Sequence, residues 1–170
     1  MTEEEKPKLD LDTLAEQARE VLLRDGYHAA MLIVEGSLKN LILQVSELGE
    51  THEDKLAQMF VAGLTLARMG DIGVLQQVFL ITEAWLSLVE KNKSFIQPSK
   101  DPKRKEILMI TQMNVPENTM ATRSYEMKRN KKGKLVQALK RPQLEGETAE
   151  SPLLEAFVMG FLGKTGKTDD

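Results

Sequence analysis

Glu83 stands in the run Val78-Phe79-Leu80-Ile81-Thr82-Glu83-Ala84-Trp85-Leu86. As a regular strand, the run puts Glu83 on one face with Phe79, Ile81 and Trp85. A carboxylate on an apolar face is costly unless it is paired or reaches water. Arg104 and Glu106 flank the start of the next expected strand, its hairpin neighbour. A guanidinium fork from Arg104 would settle the Glu83 charge with two parallel hydrogen bonds. The structural reading is a buried or half-buried ion pair that fixes register. The functional reading is a polar site at the sheet edge, built from Glu83, Arg104, Glu106 and His28 with Trp85 as a flat apolar wall. A third reading leaves Glu83 facing water. Glu83 and Glu106 are also the residue types of a general acid–base pair. No spacing requires that role and no nucleophile stands out, so no catalytic residue is assigned.

The chain has no cysteine and two histidines, His28 and His52. Disulfides, Cys-based zinc sites and thiol nucleophiles are thereby excluded. A zinc site would have to join the two histidines with carboxylates such as Glu35, Glu53 or Asp54, and no metal-binding spacing is present. Neither a metal nor a cofactor is expected, and the histidines are read as edge or capping residues.

Charge is distributed in blocks. Residues 1–90 carry a net −9, residues 91–141 a net +10 and residues 142–170 a net −4. Lys100, Lys103 and Lys105 in the first part of the basic block, with Arg129, Lys131 and Lys132 further on, are candidate anion-binding residues that could grip phosphates. Only Phe95 and Tyr125 are interleaved with them, which is poor material for stacking bases. No glycine-rich phosphate loop, Walker motif or DNA-reading helix accompanies them. The alternative is a basic block lying against the chain's own acidic helices, or simply a solvated face.

The positioning elements follow from periodicity. Thr13 and Glu16 fit a capping box ahead of a helix that Gly26 closes. The residues from Ala29 to Val34 are apolar on both faces, as in a central strand. Gly36-Ser37 then turns the chain into an alternating strand with Leu41, Leu43 and Val45 inward. Thr51 opens a second helix with an acidic first turn, and Leu56, Met59, Phe60, Leu64 and Ala67 form its apolar face. Gly63, inside it, is expected to permit close approach to the sheet. A long strand over residues 74–89 precedes a long loop. Three strands follow at Ile107–Met113, Ala121–Lys128 and Lys134–Leu139, the last two joined by the turn Asn130-Lys131-Lys132-Gly133. Ser151-Pro152 starts a short helix with Ser as N-cap and Pro at its first position. Its apolar stripe, Leu154, Phe157, Val158, Phe161 and Leu162, docks either on the chain's own sheet or on a partner.

The expected fold is α+β and single-domain: a mixed or mostly antiparallel sheet of about six strands with two main helices and a short C-terminal helix, in the order α-β-β-α-β-β-β-β-α. Residues 1–10 are expected as a disordered arm, 11–140 as the domain, 141–150 as a linker, 151–163 as the C-terminal helix and 164–170 as a flexible tail. With 170 residues, 41% hydrophobic and 29% charged, the chain has material for one core. No apolar run approaches the length of a membrane span and the first residues are polar and acidic, so a cytoplasmic protein without membrane contact is expected.

The segment Leu22-Leu23-Arg24-Asp25-Gly26-Tyr27-His28 leading into Met31–Glu35 resembles a family of small bacterial and phage proteins that carries no established activity. Glu83-Ala84-Trp85 and Asp101-Pro102-Lys103-Arg104-Lys105-Glu106 extend the resemblance, which covers residues 12–140. It lends no catalytic residue and marks Gly26, His28, Glu83, Trp85, Arg104 and Glu106 for mutation. The opening order α-β-β-α-β also resembles deaminase-like and JAB-type metalloprotease folds. Their metal-binding cysteines or paired histidines are missing here, so an active member of either class is not expected. The resulting expectation is a small binding or accessory protein without catalytic machinery, from a mobile element, with a protein partner or a second copy as its target. The alternatives are a nucleic-acid-associated protein using residues 91–141, and an enzyme of unfamiliar type centred on Glu83, Arg104 and Glu106.

Overall fold

The computed structural model describes residues 9–45, 51–86, 105–141 and 151–163, and for Trp85 and Leu86 it describes the backbone alone. Residues 1–8 of the expected 1–10 arm, most of the long loop, residues 142–150 of the expected 141–150 linker and the tail from 164 lie outside the described residues, whereas Asp10 of the arm is the N-cap of the first helix. Three helices and six strands follow the expected order: α1 (Leu11–Asp25), β1 (Met31–Gly36), β2 (Asn40–Gln44), α2 (His52–Met69), β3 (Leu75–Leu86), β4 (Lys105–Asn114), β5 (Thr119–Arg129), β6 (Leu135–Lys140) and α3 (Pro152–Leu162). No helix among the described residues is long and apolar enough to cross a membrane.

The strands form one sheet in the order β2-β1-β3-β4-β5-β6, every pair antiparallel. α1 packs on one face and α2 with α3 on the other, so the central strands are covered on both sides. Ile33, Phe79, Ile81, Leu108, Ile110 and Tyr125 face α1 and bury around its Ala15, Ala18 and Leu22. Leu32, Val34, Val78 and Leu80 face the other way and bury with Met59 and Leu66 of α2 and with Leu154, Phe157 and Val158 of α3. This double burial explains the apolar runs in β1 and β3, a pattern more familiar from parallel sheets.

The helix starts refine the expectations. α1 begins one turn earlier than the Thr13–Glu16 pattern indicates. Asp10 is the N-cap, and its Oδ2 accepts from both the backbone N–H and the hydroxyl of Thr13 at 3.0 Å. Leu11, buried in the core, is what draws the helix start forward. α2 is capped by Thr51, whose hydroxyl accepts from the Asp54 N–H at 3.1 Å, and α3 by Ser151 with Pro152 following.

Gly63 mediates close approach, but to α3 and not to the sheet. A Cβ on Gly63 would collide with the Phe157 carbonyl oxygen, and a Cβ on Gly160 with the Phe60 carbonyl oxygen. The two helices thus meet backbone to backbone at two reciprocal glycines. The buried face of α2 is consequently centred on Met59, Gly63 and Leu66, rotated from the expected stripe.

Candidate functional site

Glu83 lies near the β3 end that follows the α1 face, and its side chain is exposed. Its Oε1 accepts a hydrogen bond from the His28 backbone N–H at 2.8 Å. Glu83 is thus exposed and not buried: the strand has run beyond the cover of α1, and the loop entering β1 supplies a donor to this carboxylate. Arg104 lies outside the described residues. The Trp85 backbone pairs with Glu106 in the β3–β4 register. Glu106 accepts from the Arg129 Nε at 2.5 Å. Glu83 and Glu106 line, with Ala84 and Met127, a hollow of about 190 Å3.

His28 is buried, and its Nδ1 lies 2.7 Å from the Ala29 carbonyl oxygen. A carbonyl only accepts, so Nδ1 carries the proton in this arrangement. His52 occupies the first turn of α2, on another element. No group of three or more metal-binding side chains occurs among the described residues.

The basic block divides. Arg123 reaches Asp12 of α1 at 2.7 Å. Lys128 and Lys105 lie 2.9 and 3.7 Å from Glu126, and Arg129 holds Glu106. Glu126 is held below the usual carboxylate range, chiefly by the hydrogen bond from Lys128; burial opposes this in part, and the charges of Lys105, Lys128 and Arg141 add smaller lowering effects. Of these four cations, Lys105 and Arg129 therefore balance acids of a neighbouring strand, Lys128 balances one on its own strand, and Arg123 alone reaches an acidic helix. Lys131 and Lys132 are exposed at the β5–β6 turn, where Asn130 Oδ1 accepts from the Lys132 and Lys134 N–H groups and Gly133 takes the left-handed conformation. Lys100 and Lys103 lie outside the described residues.

The C-terminal stripe sits inside the chain's own core. Leu154, Phe157 and Val158 are buried against α2 and β3, Phe161 is half-buried, and Leu162 is exposed.

Two recesses escape a reading of the sequence. The first is an apolar groove of about 440 Å3 between α1 and the β1–β2 edge, lined by Leu14, Val21, Tyr27, Met31, Ile33 and Ile42 among others. It exists because α1 packs over β4, β5 and β6 and leaves that end of the sheet uncovered. Tyr27 is 63% exposed and Ile42 66%. The second is a polar recess beyond the N-terminal end of α1, over Glu35, Gln77 and Gln112. The signal for the second was present as polar residues in otherwise apolar strands, but only strand register brings them together.

No curated protein and no solved structure matches the chain. A family model described as bacteriophage lambda protein ea47 matches residues 1–160. The match takes in every element of the sheet and nearly all of α3, and the chain belongs to the phage lambda ea47 protein family.

Proposed function

We propose that this phage-family protein is a binding module that associates with a second copy of itself through β2. The apolar groove between α1 and that edge strand, left uncovered among the described residues with Ile42 at its rim, is the observation that supports the reading. Val45 N–H donates to Ala30 and Gly36 N–H to Lys39, so alternate residues of β2 bond to β1. Ile42 and Gln44 turn their backbone groups the other way, toward the outer edge. Edge strands of this kind are templates for pairing. Antiparallel pairing of β2 with its own copy is self-complementary about a two-fold axis. It would cover Ile42 and Tyr27, whose exposure otherwise leaves a contiguous apolar patch in water.

Light scattering over a concentration series tests this. A dimer that Ile42→Lys converts to a folded monomer supports the reading, and a monomer at all concentrations overturns it. The nucleic-acid alternative is favoured by one observation, the exposed Lys131 and Lys132 at the β5–β6 turn. Oligonucleotide binding that falls steeply with salt and is lost in Lys132→Ala would put that alternative first.

A further inference from the structure

Across the α1 face of the sheet, register aligns Glu35 of β1 with Gln77 of β3, and Gln77 with Asn114 of β4. One row inward, Gln112 stands beside Phe79. The apolar rows lie under α1, and this polar row lies beyond the helix start, where the chain passes over it at Leu9. The result is a recess of about 470 Å3.

Its polar floor is held in place. Gln112 Nε2 donates to Gln77 Oε1 at 2.6 Å, and Gln77 Nε2 donates to the Leu9 carbonyl at 2.8 Å. The Leu9 N–H donates in turn to Glu35 Oε1 at 3.2 Å. Gln77 is 5% exposed and Glu35 6%. Glu35 nevertheless has no lysine, arginine or histidine within ion-pair distance among the described residues; it lines the recess, and among those residues only its Oε1 accepts a hydrogen bond, from Leu9. Asp10, Asp12 and Glu117 add three carboxylates to the lining, against the single cation Arg123. Arg123 is already engaged by Asp12 at 2.7 Å.

A buried carboxylate with one neutral donor and no cation is an expensive arrangement for folding alone. It becomes favourable when a cation with several N–H donors enters, because charge-assisted hydrogen bonds to a desolvated carboxylate are strong. The neighbouring amides of Gln77, Gln112 and Asn114 offer acceptors for the remaining N–H groups. The recess is large enough for a small organic molecule.

We infer that the Glu35 recess is a binding site for an organic cation, an alkylammonium or guanidinium group, whose charged end rests on the Glu35 carboxylate. Two sources supply that chemistry. One is a free amine. The other is the chain's own Lys6 or Lys8, a few residues before Leu9 and so at high effective concentration.

The experiment is an amide NMR titration of the full chain with agmatine and with spermidine, using 1,4-butanediol and succinate as uncharged and anionic controls. It is repeated on the Lys6→Ala/Lys8→Ala double variant. Binding of either amine to the wild type, with shifts at Glu35, Gln77 and Gln112, assigns a free ligand. Binding only to the double variant assigns the chain's own lysines as occupant. In both cases Glu35→Gln, which keeps an acceptor for Leu9, lowers affinity about tenfold or more. Ala121→Leu, which fills the recess with Glu35 intact, blocks binding even if the glutamine variant fails to fold. The inference is overturned if no amine shifts these residues in either protein at roughly 10 mM, an affinity too weak for a built site. Equal binding of the diol overturns it as well.

Discussion

The Glu83 carboxylate and the His28 backbone are joined across 55 positions of sequence by one 2.8 Å hydrogen bond. It anchors the segment between α1 and β1 to the far end of β3. Replacing Glu83 by Ala removes the acceptor while leaving the His28 N–H in place. The expected cost is about 1 kcal/mol, the lower range for a charged acceptor because Glu83 is exposed. Glu83→Gln retains an acceptor and is expected to recover most of the loss. Urea unfolding of the two variants checks this, and equal destabilisation by both would show that the charge, and not the bond to His28, is what matters.

The reciprocal glycines of α2 and α3 make a stronger prediction. Gly160→Ala adds one methyl where the Phe60 carbonyl stands, and a backbone atom cannot swing aside as a side chain does. Overpacking of this kind costs about 1–3 kcal/mol, and more where backbone must move. The helix-propensity gain of Ala over Gly, about 1 kcal/mol, offsets only part of it. Gly63→Ala should behave alike. Because both substitutions push the same two helices apart, the double variant should lose less than the sum, which a double-mutant cycle measures.

Tyr125 sets an alkaline limit. Its ring is buried under α1 and its hydroxyl donates to Glu16 Oε2 at 3.1 Å. Burial, then the hydrogen bond and charge of Glu16, push its pKa from 10.0 up to about 12. The unfolded chain therefore releases this proton at lower pH than the folded one. The stability involved is fully present below pH 10.0 and is lost as pH rises toward about 12. Thermal melts from pH 8 upward should show that decline, and Tyr125→Phe should flatten it. At neutral pH the same variant should lose about 0.5–1.5 kcal/mol for the missing hydrogen bond.

How far the sequence carries depends on whether the determining contacts are local. Gly26, Gly70 and Ser151 punctuate their helices where the residue types indicate, because a cap is a matter of three or four neighbouring residues. The β5–β6 turn is legible for the same reason, since Asn130 and Gly133 carry it alone. Glu35 is the opposite case. In sequence it reads as the polar end of an apolar strand, and only its pairing with Gln77, 42 positions on, makes it the floor of a recess. The stripe from Leu154 to Phe161 was readable as apolar, but whether its occupant was the chain itself depended on Gly63 facing Gly160. Glu83 was visible as an anomaly, and its partner was a backbone amide, a group every residue carries and no motif marks.

The position of β1 has a kinetic consequence. β3 through β6 form a meander of sequential neighbours, whereas β1 reaches β3 only after β2 and the whole of α2 have been made. Closing that loop costs chain entropy before its contacts form. The meander is therefore expected to assemble first, and the β2–β1 hairpin to add to the exposed edge of β3 afterwards. Conservative truncations in β1, such as Val34→Ala, should then speed unfolding more than they slow folding, while Ile110→Val in β4 should do the reverse. The last-formed seam of the sheet would also be the first to open.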